Sequence, residues 1–256
     1  MLNYIHAELW RFFRRSAGKA LFLISALLPA LLNLYVLFFN LWDRPAERYD
    51  LSISLEMAVA LMPLAGVLLL MALTQSAFAD ETRLRTLKNS LSSGGSRGIV
   101  YGGKLLSGLL LAALCLGTAL AAFLATGLLL LPERDWSAFW EAARGFAAVL
   151  CCCIPLWLGM LGVFSLLNFS LSNGTAGAAA AVLLSFFAVP VLFSFQGPAA
   201  ETIRKFYLPA LFFEILPDGS YEGTERLMGQ CWLTGCGYFA AAAALGWALF
   251  RRRDID

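Results

Sequence analysis

The stretch "SLSNGTAG" (Ser170–Gly177) divides the longest uncharged run of the chain, which extends from Gly145 to Ala200. A helix needs roughly 20 apolar residues to cross about 30 Å of hydrocarbon, so this run is far too long for one crossing. Ser, Asn and Gly are residues that interrupt helices and form turns. We therefore predict that the run divides near Ser172–Thr175 into two membrane spans.

Four more uncharged runs are each long enough for one span: Ala20–Trp42, Met57–Ala79, Leu105–Pro132 and Leu227–Phe250. The composition agrees, because 60% of the residues are hydrophobic and 14% are charged, whereas soluble domains are about 25% charged. The runs are continuous rather than alternating, which argues against the strands of a β-barrel. The predicted fold is all-α, one polytopic membrane domain over residues 1–256 with spans at about 20–42, 56–79, 103–131, 146–171, 175–195 and 228–250.

Charged residues are distributed unevenly between the two sides of this topology. The side that carries both termini holds 12 of the 19 Lys and Arg residues but only 5 of the 17 acidic residues. Short loops rich in Lys and Arg stay in the cytoplasm. We therefore expect both termini, the segment 80–98 and the Ser172–Thr175 turn to be cytoplasmic, and the segment 196–227 to be extracytoplasmic.

The N-terminal stretch "MLNYIHAELWRFFRRSAGK" (Met1–Lys19) is amphipathic when it is read as a helix. One face carries four large apolar side chains: Ile5, Leu9, Phe12 and Phe13. The other face carries the charged side chains: Glu8, Arg11, Arg14 and Arg15. We predict an interfacial helix over residues 1–18, in which Trp10 and the three arginines contact the membrane surface. The alternative is that the stretch extends the first span as a basic flank.

The polar stretch "FADETRLRTLKNSLSSGGSRGIVYGGK" (Phe78–Lys104) separates the second and third spans. Three leucines recur on one helical face: Leu84, Leu87 and Leu91. Asp80 and Glu81 stand in the first turn, where acids favour the positive end of the helix dipole. The Ser and Gly residues that follow end the helix. We predict a cytoplasmic helix over Asp80–Leu91 whose apolar stripe docks on a partner protein, with docking on the bilayer surface or a plain solvated loop as alternatives.

The extracytoplasmic segment 196–227 contains "FYLPALFFEILPDGS" (206–220), which is apolar but too short to span. Pro209 and Pro217 break it, so we expect a re-entrant or interfacial piece. Glu214 in its middle is either a functional acid or a headgroup-facing residue. Inside the predicted spans the strongly polar residues are Asn33, Gln75 and Asn168. Asn33, Asn168 and Glu214 are the candidates for contact with a transported substrate.

The residues of common catalytic and metal sites are scarce. The one histidine, His6, argues against a Ser–His–Asp arrangement and against a histidine-rich metal site. No Gly-rich loop carries the Lys-Ser/Thr of a P-loop, so the chain has no P-loop of its own for ATP. Ion-coupled carriers usually need an ionisable residue in the middle of a span, and none of the predicted spans has one there. Energy for transport is therefore expected to come from elsewhere. All six cysteines are interpreted as buried small hydrophobic residues: Cys115, Cys151, Cys152, Cys153, Cys231 and Cys236.

Small residues predict two packing faces on the spans. "NGTAGAAAAV" (173–182) opens the fifth span and "GCGYFAAAAALG" (235–246) runs through the sixth. Such patches let helices approach closely. They could serve packing within the chain or between two copies of it.

Three stretches together resemble the permease subunit of an ABC-2 type ABC transporter, in its bacteriocin- and lantibiotic-immunity or multidrug-export branch. "EILPDGS" (214–220) is similar to the Leu-Pro that often precedes the last span, and "FRRRDID" (250–256) to the Arg-Asp-Ile ending. "ADETRLRTLKNSLSSGGSRGIVYGGKLL" (79–106) is similar to the coupling segment of the family, although Arg85 stands where the family often has Gly. The matching positions there are Glu81, Thr86, Leu87, Lys88, Gly95 or Ser96, Arg97 and Lys104.

The resemblance implies a bacterial inner-membrane complex in which two cytoplasmic P-loop ATPase subunits bind MgATP and drive this chain, paired with itself or with a related permease. The coupling helix would enter a cleft on each ATPase through Asp80, Glu81, Arg83, Leu84, Arg85, Leu87, Lys88 and Leu91. The chain itself would be no enzyme and would hold no metal or cofactor. Its partners would be proteins and lipid rather than nucleic acid, and its substrate an amphipathic, lipid-like or peptide compound such as an antimicrobial. The alternative function is a non-transporting membrane scaffold for a cytoplasmic complex.

Overall fold

The computed structural model describes residues 2–42, 49–79, 97–131, 135–171, 174–215 and 221–252. No strand occurs among these residues, and nearly all of them are helical. Six helices are long and apolar enough to cross a membrane: Ser16–Trp42, Leu51–Ala77, Arg97–Leu130, Trp136–Ser170, Ala176–Ser194 and Thr224–Arg251. The predicted all-α fold with six spans is confirmed, and the chain is a multi-pass membrane protein.

The helices are numbered here in chain order: α1 (Leu2–Arg14), α2 (Ser16–Trp42), α3 (Leu51–Thr74), α4 (Arg97–Leu130), α5 (Trp136–Ser170), α6 (Gly174–Val182), α7 (Ala188–Ser194), α8 (Pro198–Phe206), α9 (Leu208–Glu214) and α10 (Tyr221–Arg252). Two π-helical turns interrupt them. The first, π1 (Gln75–Ala79), continues α3, and the second, π2 (Leu183–Phe187), joins α6 to α7. The fifth span is therefore a composite of α6, π2 and α7.

The longest uncharged run divides where its turn residues stand. Helix α5 ends at Ser170 and α6 begins at Gly174. Soon after the turn the two helices approach closely, because a Cβ atom added to Gly177 would lie closer than 3.0 Å to the amide oxygen of Asn168. The close approach of α6 to α5 therefore depends on a residue without a side chain.

Helix α5 forms the centre of the bundle. In its most apolar part 56% of the residues are buried, against 17–33% in the other five spans. Its side chains Leu156, Leu161 and Phe164 are at most 1% exposed and belong to the main apolar core. Helix α10 packs along one side of α5 and α3 along another, while α2 packs mainly on α4.

Glycines bring α5 and α10 into backbone contact. A Cβ atom on Gly235 would lie closer than 3.0 Å to the carbonyl oxygen of Pro155, and one on Gly159 would collide with the Gly235 carbonyl. Gly162 meets the backbone of Phe239 in the same way, at 3.1 Å. The small-residue face predicted in the sixth span is thus used, at Gly235, for packing within the chain.

Two short helices occupy the segment after the fifth span. Helix α8 is amphipathic, and its Ile203 and Phe206 are more than half exposed. Helix α9 is buried instead, because Leu208, Leu211 and Phe212 join the main apolar core beside α5. With seven residues α9 is far too short to cross a bilayer.

Candidate functional site

The eight residues predicted to contact an ATPase lie outside the described residues: Asp80, Glu81, Arg83, Leu84, Arg85, Leu87, Lys88 and Leu91. Both ends of their segment are described, however, since π1 ends at Ala79 and α4 begins at Arg97. Near these two ends a group of polar residues joins α1, π1 and α4. We call it the root cluster, and it consists of Glu8, Arg11, Arg15, Ser76 and Lys104.

A buried ion pair joins α1 to α4. The ammonium of Lys104 lies 3.7 Å from a carboxylate oxygen of Glu8, and the two side chains are 2% and 10% exposed. The other carboxylate oxygen of Glu8 accepts a hydrogen bond from Arg11 at 3.0 Å. A charge buried to this extent requires a partner of opposite sign, so Glu8 and Lys104 fix the position of α1 on α4.

A second contact joins the start of α2 to π1. The guanidinium of Arg15 donates a hydrogen bond to the main-chain carbonyl of Ser76 at 3.1 Å. Arg15 stands between α1 and α2, where Gly18 packs so closely on the Phe12 carbonyl that a Cβ atom would collide with it. The N-terminal part of the chain is therefore connected to both ends of the 80–96 segment, through Arg15 at the α1–α2 junction to π1 and through Glu8 of α1 to α4.

The root cluster lines part of a partly open cavity of about 20 Å³, which Ser107 also lines. This volume accommodates about one water molecule. The cavity is too small for a cofactor or a transported compound. The chemistry of the cluster is therefore electrostatic, and its effect is to hold three helical elements in register.

Aromatic packing fixes the start of α4 from the opposite side. The ring of Tyr101 lies 5.2 Å from that of Phe169 and 6.0 Å from that of Phe250, measured between centroids. The guanidinium of Arg97 also donates a hydrogen bond to the Arg251 carbonyl at 2.7 Å. The first turns of α4 are thus attached to the end of α5 and to the last turns of α10.

The residues predicted for the interfacial helix point in two directions. Trp10 is 56% exposed, and the Arg14 guanidinium lies over its ring at 4.4 Å. Arg11 and Arg15 instead point inward, to Glu8 and Ser76. The charged face predicted for α1 therefore does not point as a whole to the membrane surface, because Glu8 on that face lies 3.7 Å from the buried Lys104 of α4.

Asn33, one of the three substrate candidates, is fully buried and hydrogen-bonded to two neighbouring spans. Its amide nitrogen donates to the Phe123 carbonyl at 2.8 Å and to the Thr126 hydroxyl at 2.7 Å. Its amide oxygen accepts from Ser54 at 2.5 Å. In this structure Asn33 connects α2, α3 and α4.

The other two candidates lie far apart along the chain and differ in burial. Asn168 is 3% exposed, and its amide nitrogen donates to the Phe164 carbonyl of its own helix at 2.9 Å. Among the described residues its amide oxygen has no hydrogen-bond partner. Glu214 is the last residue of α9 and is half-buried. The described residues show no contact between any two of the three candidates.

The cysteines show a contact that sequence reasoning missed. Cys152 of α5 and Cys231 of α10 are both fully buried in the main apolar core, and the Cys152 thiol donates a hydrogen bond to the Thr224 carbonyl of α10 at 3.5 Å. The interpretation of all six cysteines as buried residues is wrong for Cys151 and Cys236, which are exposed because they lie on the outer sides of α5 and α10.

Comparison with known proteins does not assign the chain to a family. No protein-family model matches the chain, and no curated protein sequence matches it. The geometry of the site and the chemistry of its residues therefore carry the functional argument.

Proposed function

We propose that this chain is the membrane-spanning permease subunit of an ATP-driven exporter. In this proposal a separate cytoplasmic P-loop ATPase binds the 80–96 segment and drives the movement of the spans. The observation that carries the proposal is the attachment of both ends of that segment to several spans through the root cluster and the Tyr101 aromatic contacts.

Force applied to the segment would reach most of the bundle. At one end the segment continues from α3 through π1, which Arg15 holds against the start of α2. At the other end it leads into α4, which contacts α1 through Glu8 and α10 through Arg97. Helices are rigid over these lengths, so displacement of the segment would tilt α3 and α4 and carry α1 with them.

The remaining parts of the proposal follow from charge and from resemblance. In the proposal, the side rich in Lys and Arg, which carries both termini and the 80–96 segment, faces the cytoplasm. The membrane is the inner membrane of a bacterium. A second copy of the chain or a related permease completes the complex, with two ATPase subunits below. ATP hydrolysis belongs to those subunits, and the substrate is an amphipathic, lipid-like or peptide compound.

Photo-crosslinking from the segment tests this proposal. A photoreactive phenylalanine analogue replaces Arg85 or Lys88 in the tagged chain, and Leu129, which is 83% exposed at the far end of α4, serves as the control position. After irradiation of native membranes, we expect a soluble P-loop ATPase to be linked to the chain from the segment positions and not from position 129.

Two results would overturn the proposal. One is crosslinking to lipid alone from both segment positions in a membrane that contains the expressed complex. The other is crosslinking to a cytoplasmic protein without a nucleotide-binding site, which would support the scaffold function instead.

A further inference from the structure

An apolar cavity of about 130 Å³ lies between α3, α5, π2 and α9, away from the root cluster. Nine of the ten residues that line it are apolar, and they come from all four elements. Leu64 and Phe213 on its rim are 46% and 47% exposed, so the cavity opens at the surface of the bundle. A ligand could enter it without unfolding any span.

Three irregularities in helical structure meet around this cavity. Pro63 interrupts the hydrogen bonding of α3, and Pro209 stands at the start of α9. In π2 each hydrogen-bonded turn of the fifth span contains about one residue more than in an α-helix. Protein interiors normally close such gaps by packing. Here the cavity lies beside Pro63 and π2, and π-helical turns of this kind are frequent at functional sites.

One polar group lies in the apolar lining. Ser185, at the centre of π2, is 4% exposed, and its hydroxyl has no hydrogen-bond partner among the residues that the structure describes. Two other buried span serines are paired, since Ser25 donates to the Phe22 carbonyl and Ser107 to the Gly103 carbonyl, both at 2.7 Å. Ser165 of α5 shares the unpaired state among the described residues but does not line the cavity. Leaving a buried hydroxyl unpaired is unfavourable. The Ser185 oxygen has almost no accessible surface, but because it has no partner among the described residues, rotation of the side chain toward a ligand in the cavity would break no hydrogen bond.

The size of the cavity limits the ligand. An engineered apolar cavity of roughly 150 Å³ in another protein stays dry and binds benzene. A cavity of about 130 Å³ therefore accepts a group of about that size. Pockets that combine an apolar lining with one placed polar group are typical of small-molecule sites.

We infer that this cavity binds an aromatic or branched aliphatic group, about the size of a benzene ring, that carries one oxygen able to hydrogen-bond to Ser185. Such a group occurs both in membrane lipids and in amphipathic compounds that cross membranes. The inference does not depend on ATP-driven transport, since it concerns binding to this chain alone.

A photoreactive phenol that carries a diazirine tests the site on the full chain in lipid nanodiscs. The labelled residues are mapped by mass spectrometry, and 4-fluorophenol and fluorobenzene are used as competitors. We expect labelling to concentrate in π2, α9 and the part of α3 around Pro63. Labelling spread evenly along the lipid-facing helices would show simple partitioning into the bilayer and would overturn the inference.

Two substitutions at Ser185 distinguish the effect of its hydroxyl on binding from the effect of the cavity volume beside it. Ser185→Ala should weaken competition by 4-fluorophenol by roughly three- to tenfold, the loss expected for one hydrogen bond, and leave competition by fluorobenzene unchanged. Ser185→Leu should fill the cavity and abolish labelling at π2. The matched controls are Ser194→Ala and Ser194→Leu, because Ser194 is exposed in the same span. Wild-type labelling in Ser185→Leu would contradict the assignment.

Mass spectrometry of the chain released from its native membrane identifies the source of the ligand. A membrane lipid would accompany the wild-type chain and be lost from Ser185→Leu. A transported compound would bind only when it is added, and again not to Ser185→Leu. A compound that binds both proteins equally would contradict the site.

Discussion

At the scale of single residues, Glu8 and Lys104 determine how the N-terminal helix meets the bundle. Neither side chain is exposed enough to be solvated fully, at 10% and 2%. The attraction between two buried charges is offset by the cost of removing both from water, so the pair adds little stability by itself. Its effect is to select one position of α1 on α4, because any other position leaves a buried charge without its partner.

Replacing one partner of this pair should therefore cost more than replacing both. Glu8→Gln removes the carboxylate beside Lys104 and should lower the free energy of unfolding by about 3 kcal/mol. The double substitution Glu8→Gln with Lys104→Met should recover much of that loss. Thermal unfolding of the purified chain measures both, with the exposed Glu201→Gln as control. A double variant as unstable as Glu8→Gln would show that the pair is not what positions α1.

A second residue-scale prediction concerns the contact of α5 with α10. Gly235→Ala places a methyl group against the Pro155 carbonyl, so the two helices must separate, at an expected cost of about 1–3 kcal/mol. Gly237→Ala is the matched control, since a Cβ atom there meets nothing within 4 Å. Equal thermal stability of the two variants would contradict the close packing of α5 and α10.

At the scale of elements, two of the spans, α3 and α5, begin at an aspartate cap outside the apolar runs. Asp50 accepts a hydrogen bond from the Ile53 amide at the start of α3, and Asp135 accepts from the Ser137 and Ala138 amides at the start of α5. Each aspartate satisfies amides that have no partner within the helix. Hydrogen bonds to Asp135 also lower the pKa of its carboxyl group. The bond from the Ser137 hydroxyl has the largest effect, and the bonds from the two amides have smaller ones.

This capping should make the stability of α5 depend on pH in one direction. Because the pKa of Asp135 is lower in the folded chain, its contribution is complete above its ordinary pKa of 3.8 and is lost as the pH falls through the lowered pKa. Asp135→Ala should lower the unfolding temperature at pH 7. On acidification, the unfolding temperature of this variant should fall less than that of the wild type. Asp135→Asn should retain the cap. Identical acid sensitivity of wild type and Asp135→Ala would disprove this contribution.

The sequence is enough to predict the membrane spans, which depend on local composition. It is not enough to predict contacts between residues that lie far apart in the chain. Long uncharged runs and the turn at Ser170–Gly177 are enough to predict six spans, because the bilayer sets their length. The inward position of Glu8 cannot be predicted from the amphipathic pattern of α1, since its partner Lys104 is 96 residues away. The hydrogen bond from Cys152 to the Thr224 carbonyl likewise joins residues that are 72 positions apart, so local periodicity does not predict it.

At the scale of the whole molecule, contacts at the roots of the 80–96 segment differ in kind from those elsewhere. Ionic and main-chain contacts of Glu8, Arg15 and Arg97 join the segment ends to α1, α2 and α10. In the bundle, apolar packing around α5 dominates. In the proposed function, these contacts would transmit a displacement of the 80–96 segment to the spans.

The central claim is that a separate ATPase drives this chain, and purification tests it most directly. The tagged chain is extracted from its native membrane in a mild detergent, and the proteins that accompany it are identified and quantified. We predict a soluble P-loop ATPase in a fixed ratio to the chain, lost from the Glu81→Ala, Leu84→Ala double variant. Recovery of the chain folded, as judged by a cooperative unfolding transition, but without any ATPase would contradict the claim.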